Sequence, residues 1–179
     1  MGAKIIAELC QNHNGDRILL QEMVHAAAEN GADIVKIQSI RSKELTHREQ
    51  FDRGLIEGGE VKIIKRPYID EYQRLKKLDL TIEEEKWFIN ECLRFGVSPM
   101  TTSFTRSSLR EISNLGYEAI KIASYDCSSF ELLKEAKKYF SKIFVSTGAT
   151  YDFEIEEAAK ILNGSDFELL HCVTIYPTP

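Results

Sequence analysis

Two lysines occupy matched positions in the sequence, and their charge is the strongest chemical feature of the chain. Lys36 and Lys121 each follow a glycine by five positions and precede a serine by three, within 31–39 and 116–124. Each lies in a short apolar run, where a lysine is costly unless its charge meets an anion or is neutralised. The repeat therefore predicts a shared anionic ligand. The alternative is that each lysine lies near a strand end and extends its amine to solvent.

Hydroxyl groups are predicted to surround these lysines. Thr102, Ser124, Ser146 and Thr147 end apolar runs, and Gly148 opens the turn into the following helix, where free backbone N–H groups favour an anion. The set predicts a phosphate or carboxylate pocket. A single serine or threonine at such a position is also an ordinary helix cap, so the prediction depends on the whole set.

Glu8 ends the first apolar run, and a carboxylate there suits a general acid, a general base or an acceptor of a substrate hydrogen bond. The alternative is an ion pair with Lys36 on the adjacent strand. His13 and His171 are candidate ligands, although a lone histidine in a turn or strand is more often only hydrogen-bonded. No two of the four histidines have metal-ligand spacing, so the sequence predicts no metal site.

Six apolar runs predict the strands that position these groups, with a helical pattern between most successive runs. The runs are 4–9, 33–38, 97–102, 119–124, 142–147 and 167–173. Three helices are predicted to begin at capping boxes, at 81–84, 108–111 and 128–131, and Asp152 is the predicted N-cap of a fourth.

The stretch 39–80 interrupts this pattern. It is rich in charged residues and contains three glycines and Pro67, with one short helix predicted at 67–78. Connections of this length are usually functional or disordered, and we expect a mobile flap over the site. The alternative is a solvated insertion with no role.

Alternation of strands and helices requires parallel pairing with right-handed crossovers, in an open doubly wound sheet or in a barrel. No GxGxxG follows the first strand, and a polar residue ends every strand. Those residues are Glu8, Gln38, Thr102, Ser124, Ser146 and Thr174. A barrel brings all its strand ends to one site. The sequence therefore predicts an α/β fold of the TIM (β/α)8 barrel type in a single domain, 1–179, of which about six β/α units are visible.

Composition excludes several other classes of function. The chain has 179 residues, 43% of them hydrophobic, and a net charge of −5, which argues against a nucleic-acid partner. The four cysteines include no CxxC pair and are expected to be reduced thiols in a cytoplasmic protein. Glu8 comes too early for a signal peptide, and no apolar run is long enough to cross a membrane.

Six motifs occur in order over nearly the whole chain. They are Ile-Ala-Glu at 6–8, Asn-His-Asn-Gly at 12–15, Gly-Ala-Asp-x-x-Lys-x-Gln at 31–38, Lys-Ile-Ala-Ser at 121–124, Ser-Thr-Gly at 146–148, and Leu-His-Cys at 170–172 with Tyr-Pro at 176–177. Together they resemble the N-terminal barrel portion of the sialic acid synthase family, which includes the N-acetylneuraminate, legionaminate and pseudaminate synthases.

The resemblance implies an aldolase-type barrel that condenses phosphoenolpyruvate with an N-acylated amino sugar into a nine-carbon sialic-acid-like sugar acid. The residues that it places on phosphoenolpyruvate are Lys36, Thr102, Lys121, Ser124 and Ser146. It assigns Gln38 and Tyr176 to the sugar and Glu8 to acid–base or orienting chemistry, and Thr174 stands where relatives carry Asn, Ser or Thr.

The resemblance also implies a divalent metal, Mn²⁺ or Mg²⁺, whose two histidine ligands belong to strands seven and eight, ahead of a small antifreeze-like domain. The sequence stops at Pro179, before those strands. It departs from the family at Ser103, where many members have Pro, and at Tyr125, where many have Gly. We therefore expect a truncated barrel, either a fragment or one part of an assembly.

Two other functions remain open at the level of sequence. A strand lysine of lowered pKa forms Schiff bases readily, so Lys36 or Lys121 also fits a metal-independent aldolase or lyase. Alternatively, the chain is a non-catalytic fragment, because six strands leave two unpaired edges. In that case we expect a homo-oligomer, or a complex with a chain that completes the barrel, and no turnover by the chain alone.

Overall fold

A six-stranded parallel sheet organises the computed structural model, which describes residues 2–175. The strands are β1 (Ile6–Cys10), β2 (Ile34–Gln38), β3 (Leu55–Glu57), β4 (Glu60–Ile63), β5 (Ser98–Thr102), β6 (Ala119–Ile122), β7 (Lys142–Ser146) and β8 (Asp166–Leu170). The helices are α1 (Arg17–Glu29), α2 (Glu49–Arg53), α3 (Tyr68–Lys76), α4 (Ile82–Arg94), α5 (Arg106–Ser113), α6 (Phe130–Tyr139) and α7 (Asp152–Leu162). Strands β3 and β4 form a separate antiparallel hairpin.

Strand order in the large sheet follows chain order throughout, β1-β2-β5-β6-β7-β8, and every pair is parallel. A doubly wound sheet reverses its order at a switch point, and residues 2–175 contain no such reversal. The fold is a partial TIM barrel, which confirms the predicted architecture. No helix in the described part of the chain has the length and hydropathy that a membrane-spanning segment needs.

The two faces of the sheet bury different groups. Val35 and Ile37 point toward the helices and belong to the main hydrophobic core. The opposite, inner face carries a smaller apolar cluster built on Ile34, Met100 and Phe144. Further along these strands, toward their carboxyl ends, the inner-face positions become polar. The inner face therefore has an apolar floor and a polar rim.

The register of the strands brings five predicted site residues to that rim. Glu8 pairs with Lys36, Gln38 with Thr102, and Thr102 with Lys121. Paired residues of adjacent parallel strands point to the same face of a sheet. All five side chains consequently lie on the inner face near the carboxyl ends of the strands.

Helix starts agree with the sequence in one case and differ in three. Thr81 and Glu84 form a complete capping box at α4, in which Thr81 N donates to Glu84 Oε2 (2.7 Å) and Glu84 N donates to Thr81 Oγ1 (3.2 Å). The box predicted at 108–111 is wrong, because α5 begins at Arg106 and already contains Ser108.

The capping predictions at 128–131 and Asp152 are also wrong. Helix α6 begins only at Phe130, and no side chain caps it. Helix α7 begins at Asp152 itself, so Tyr151 is the N-cap residue and its N–H donates to Glu154 Oε2 (3.0 Å). A polar residue followed three positions later by Glu also occurs within a first helical turn, so the pattern locates a helix start only to within a few residues.

Between β2 and α4 the chain forms more regular structure than its sequence pattern predicts. Helix α3 confirms the helix predicted at 67–78, whereas α2 and the β3–β4 hairpin are additional. Gly58 and Gly59 make the hairpin turn with φ values of 61° and 84°, and a Gly-Gly pair is a known signal for such a turn. The two short strands are almost wholly exposed and lack the alternation of a half-buried strand.

Candidate anion site

Lys36 is buried on the inner face, with only 2% of its surface exposed. Its Nζ donates to Glu8 Oε2 (2.7 Å), Thr102 Oγ1 (2.7 Å) and the Ile37 carbonyl (3.3 Å). These bonds use all three hydrogens of the ammonium group. Burial lowers the pKa of Lys36, and the charge and hydrogen bond of Glu8 oppose that shift only in part. The ion pair left open as an alternative for Glu8 is therefore present.

Glu8 remains partly open to solvent although it pairs with a buried lysine. Its side chain is 44% exposed, and its second oxygen, Oε1, accepts a hydrogen bond from Cys10 N (2.9 Å). Cys10 has a left-handed backbone, with φ of 55°, and this bond fixes the sharp turn at the end of β1. Glu8 thus joins the turn, the buried cation and the rim of the sheet.

Lys121 has different surroundings. It lies beside Thr102 and Phe144 in the sheet and is partly exposed. Within residues 2–175 its amine has neither an ion pair nor a hydrogen bond. Its positive charge contributes to the lowered pKa of Lys36, so the two lysines face the same space. Lys121 is the cation of this rim that remains available to an anion.

The ends of β6, β7 and β8 approach closely beside Lys121. Gly148 N donates to Ser124 Oγ (3.1 Å). A Cβ at position 148 would lie 2.7 Å from Thr174 Cγ2, 3.0 Å from Ser124 Oγ and 3.1 Å from Cys172 Cβ. Only glycine fits there, and the close approach brings Ser124, Cys172 and Thr174 together. Ser146, which is 2% exposed, ends β7 at the same edge.

Cys172 belongs to this group, although its sequence position indicates only a thiol just beyond a strand. Burial raises the pKa of its thiol, but hydrogen bonds from Ser146 and Ser124, the Thr147 backbone and the charge of Lys121 outweigh that effect, and the net pKa is lowered. A site that stabilises a thiolate is one that stabilises anions. The same groups are therefore suited to an anionic ligand.

Gln38 ends β2 on the same face. Through Gln11 it is linked to residues 39–80, which we call the insertion. Its Oε1 accepts from Gln11 Nε2 (2.9 Å), and Gln11 Oε1 accepts from Arg74 Nη1 (3.2 Å). Arg74 lies on α3. The turn after β1 thus contacts the predicted sugar-binding residue directly, and the insertion is linked to it through Gln11.

A model of the NeuB family matches residues 23–179, most of the chain. The chain belongs to the NeuB family. It is 33% identical to N,N'-diacetyllegionaminic acid synthase of Campylobacter jejuni, over 98% of this chain and 52% of the relative. It is 29% identical to pseudaminic acid synthase of Helicobacter pylori, over 98% of this chain and 51% of the relative.

Solved structures agree with this assignment. A crystal structure of N-acetylneuraminic acid synthetase from Leptospira borgpetersenii, in complex with citrate, matches with a TM-score of 0.82 and 27% identity, over 100% of this chain and 57% of that chain. The predicted membership of a sialic acid synthase-type family is confirmed. The NeuB-family chain spans about half the length of the curated relatives that it matches.

One supporting network of this NeuB-family chain has no signal in the sequence. Glu85 of α4 is fully buried and accepts from Arg41 Nη1 (2.6 Å) and Ser39 Oγ (2.7 Å). Ser39 Oγ also lies 2.8 Å from Thr101 Oγ1. The network fixes the chain directly after β2, where the insertion begins. The sequence does not indicate that Glu85 is buried, because it ends a run of three glutamates, 83–85, that is typical of an exposed first helical turn.

The predicted histidine ligands do not converge in the described residues. His13 is buried in the β1–α1 turn, where its Nδ1 accepts from Gly15 N (3.0 Å), and His171 is exposed. Residues 2–175 contain no group of three or more His, Cys, Asp and Glu side chains that is arranged to hold a metal ion. Tyr176 lies outside the described residues. The other predicted site residues all lie at the carboxyl edge of the sheet.

Proposed function

We propose that this NeuB-family chain forms the phosphoenolpyruvate-binding part of a barrel that condenses phosphoenolpyruvate with an N-acylated amino sugar. One observation carries the proposal: two lysines and the buried hydroxyls of Thr102 and Ser146 meet at one edge of the inner face. Phosphoenolpyruvate has two anionic groups, a phosphate and a carboxylate, and the rim offers two cations. The relatives named as sugar acid synthases support the same assignment.

Lys121 is the first anchor of the anion in this proposal because its charge has no partner among residues 2–175. Ser124 assists it: its Oγ accepts from Gly148 N–H, and we propose that its one hydroxyl hydrogen, which otherwise bonds to Cys172, turns to a ligand oxygen. Hydrogen bonds to charged groups contribute about 1.5–3 kcal/mol each. A short set of such bonds is enough for a specific anion site.

Lys36 binds the ligand by exchanging one of its three hydrogen bonds. Its bond to the Ile37 carbonyl, at 3.3 Å, is the longest of its three. We propose that a ligand oxygen replaces this carbonyl, while Glu8 and Thr102 keep the ammonium in place. Lys36 then contacts the second anionic group without leaving its buried position.

In the proposed reaction, C3 of phosphoenolpyruvate forms a carbon–carbon bond to the aldehyde carbon of the open-chain sugar, water adds at C2, and phosphate leaves. Glu8 stands at the rim with one partly exposed carboxylate, so it is placed to orient the reactants or to take a proton from the water. Gln38 and Thr174 lie at the same edge and are proposed to contact the sugar, together with Tyr176.

The family resemblance assigns polarisation of the aldehyde to Mn²⁺ or Mg²⁺. The described residues do not fit that metal, because they bring no suitable ligand set together. The roles proposed for the residues of this chain are therefore limited to binding and orienting phosphoenolpyruvate and the sugar, and to the acid–base role of Glu8.

Calorimetric titration with phosphoenolpyruvate tests the pocket. We expect saturable binding to the wild-type chain and a loss of about tenfold or more in affinity for Lys121→Ala, because one charge-assisted contact is removed. Lys138→Ala is the matched control, since Lys138 is exposed on α6 and pairs with Glu135 away from the rim. No heat with wild type, in a sample shown to be folded by circular dichroism, contradicts the proposal.

We further propose that the 179-residue chain associates through its sheet edges. Within residues 2–175, β1 pairs only with β2 and β8 only with β7, and open strand edges recruit further strands. Light scattering is expected to show a dimer or larger species, or a complex with a chain that completes the barrel. A stable monomer contradicts this part of the proposal.

A further inference from the structure

We propose that Gln11 and Arg74 are positioning residues that fix Gln38 as a hydrogen-bond donor toward the bound sugar. The inference deepens the proposed function and rests on it. The three side chains come from three parts of the chain: the turn after β1, the helix α3 of the insertion, and the end of β2. They form one continuous series of hydrogen bonds, from Arg74 to Gln11 (3.2 Å) and from Gln11 to Gln38 (2.9 Å).

The direction of these bonds follows from the chemistry of the first member. A guanidinium group has only N–H donors, so Gln11 must present its oxygen to Arg74. Its Nε2 then faces Gln38 and donates to Gln38 Oε1. Gln38 is left with its two Nε2 hydrogens, for which residues 2–175 provide no acceptor. A glutamine amide has two nearly isosteric orientations. Because Arg74 fixes the orientation of the Gln11 amide, it also fixes the orientation of the Gln38 amide.

The first two members of the series, Arg74 and Gln11, are both held in place. Arg74 binds Glu71 through two bonds, Nε to Oε2 (2.9 Å) and Nη2 to Oε1 (2.8 Å), and this contact lowers the pKa of Glu71. Paired geometry of this kind fixes the plane of the guanidinium. In the turn after β1, the left-handed residue Cys10, whose N–H donates to Glu8 Oε1, turns the chain so that Gln11 faces β2.

A donor fixed at Gln38 selects an acceptor in the ligand. Gln38 lies on the inner face, two residues beyond Lys36 on the same strand. The acceptor-only groups of an N-acylated amino sugar are its acyl carbonyl and its aldehyde oxygen. We infer that one of these two oxygens meets Gln38. Specificity for the sugar then depends on an arginine in the insertion that does not touch the sugar.

Binding of two ligands to the folded full chain separates positioning from a general loss of structure. The probes are phosphoenolpyruvate and, at saturating phosphoenolpyruvate, N-acetylmannosamine, both measured by calorimetry. Arg74→Leu is expected to weaken the affinity for the sugar by about tenfold and to leave the affinity for phosphoenolpyruvate unchanged. Arg74→Lys, which keeps a donor, is expected to restore part of the sugar affinity. Arg53→Leu, an exposed arginine of the same insertion, is the control.

Side-chain amide NMR tests the bond direction without any ligand. Gln11→Glu and Gln38→Glu each remove one pair of amide signals and so assign them. In wild type, one Gln11 Nε2 hydrogen is expected to exchange with water about two- to tenfold more slowly than the Gln38 pair, because only Gln11 donates. In Gln11→Glu, residue 11 can only accept, so the Gln38 signals become the protected pair.

The outcomes distinguish the inference from the proposed function. If wild type binds neither probe but the amide exchange shows the expected order, the function proposed for the site is wrong and the positioning of Gln38 stands. If the Gln38 pair is the protected one in wild type, the inference is overturned. Equal loss of sugar and phosphoenolpyruvate affinity in Arg74→Leu also overturns it, because a positioning role affects the sugar alone.

Discussion

The two lysines that share a sequence frame have different states in the folded protein. Lys36 on β2 is 2% exposed, ion-paired and fully hydrogen-bonded, whereas Lys121 on β6 is partly exposed and has no partner among the described residues. Their own strands are alike, so the difference comes from the neighbouring strands. Strand β1 brings Glu8 beside Lys36, and strand β7 brings Phe144 beside Lys121.

In the anion site proposed above, this difference corresponds to two separate roles for the lysines. A cation that is already neutralised adds little long-range attraction, but its position is fixed. An unpaired cation at the rim attracts an anion from solution. We interpret Lys121 as the residue that captures the ligand and Lys36 as the residue that orients it. Three experiments test this assignment of the two lysines.

The largest effect is expected on stability, from removal of Glu8. Glu8→Leu leaves the buried ammonium of Lys36 without its counter-ion. Breaking a fully buried pair in this way costs about 3–5 kcal/mol. We expect the free energy of unfolding, measured in urea, to fall by about 1–3 kcal/mol in Glu8→Leu, because Glu8 is 44% exposed and water reaches part of the pair.

Two further variants complete that test. The double variant Glu8→Leu/Lys36→Met is expected to recover most of the lost stability, because the uncompensated charge is removed with its partner. Lys121→Met is expected to change the free energy of unfolding by no more than about 0.5 kcal/mol, as for a surface substitution. A larger loss from Lys121→Met than from Glu8→Leu contradicts the assignment of the paired and unpaired lysines.

The second effect is expected on the reactivity of Cys172. The hydrogen bonds of Ser146 and Ser124 and, last, the charge of Lys121 lower the pKa of this thiol, so Lys121→Met is expected to slow alkylation of Cys172 by iodoacetamide at neutral pH. Lys36→Met is expected to change the rate less, because Glu8 already offsets that charge. Mass spectrometry resolves the labelled sites. Cys92 is the internal control, since burial raises its pKa to about 12.

The smallest effect is a pH dependence of stability. The pKa of Lys36 lies below its ordinary value of 10.5 in the folded protein. Between the lowered value and 10.5, the unfolded chain binds more protons than the folded chain, so the free energy of unfolding rises with pH in that window. The contribution is present above 10.5 and is lost as pH falls through the folded pKa. The difference in unfolding free energy between wild type and Lys36→Met isolates this contribution. A difference that falls as pH rises through this window would contradict the lowered pKa of Lys36.

The sequence was sufficient to predict which residues meet at one edge of the sheet but not their hydrogen bonds. Lys36, Lys121, Thr102 and Ser146 come together because a parallel barrel places the ends of all its strands at one edge. That rule needs only the order and length of the elements. Their roles in binding remain predictions of the resemblance and the geometry.

Contacts between distant segments could not be predicted in this way. Arg74 and Gln11 are 63 positions apart, and nothing in either local pattern indicates their contact. Glu85 has a polar, helix-forming neighbourhood, and only the tertiary fold shows that it is buried. The three misplaced helix caps have the same origin, since the competing partners of each polar side chain are set by packing and not by spacing.

A crystal structure of the chain with phosphoenolpyruvate would show directly which lysine holds which anionic group. We expect a ligand oxygen within about 3 Å of Lys121 Nζ and a second anionic group at Lys36, whose contact with Glu8 is kept while its contact with the Ile37 carbonyl is replaced. A ligand bound at this rim through Lys36 alone, with Lys121 extended into solvent, would show that Lys121 does not capture the anion.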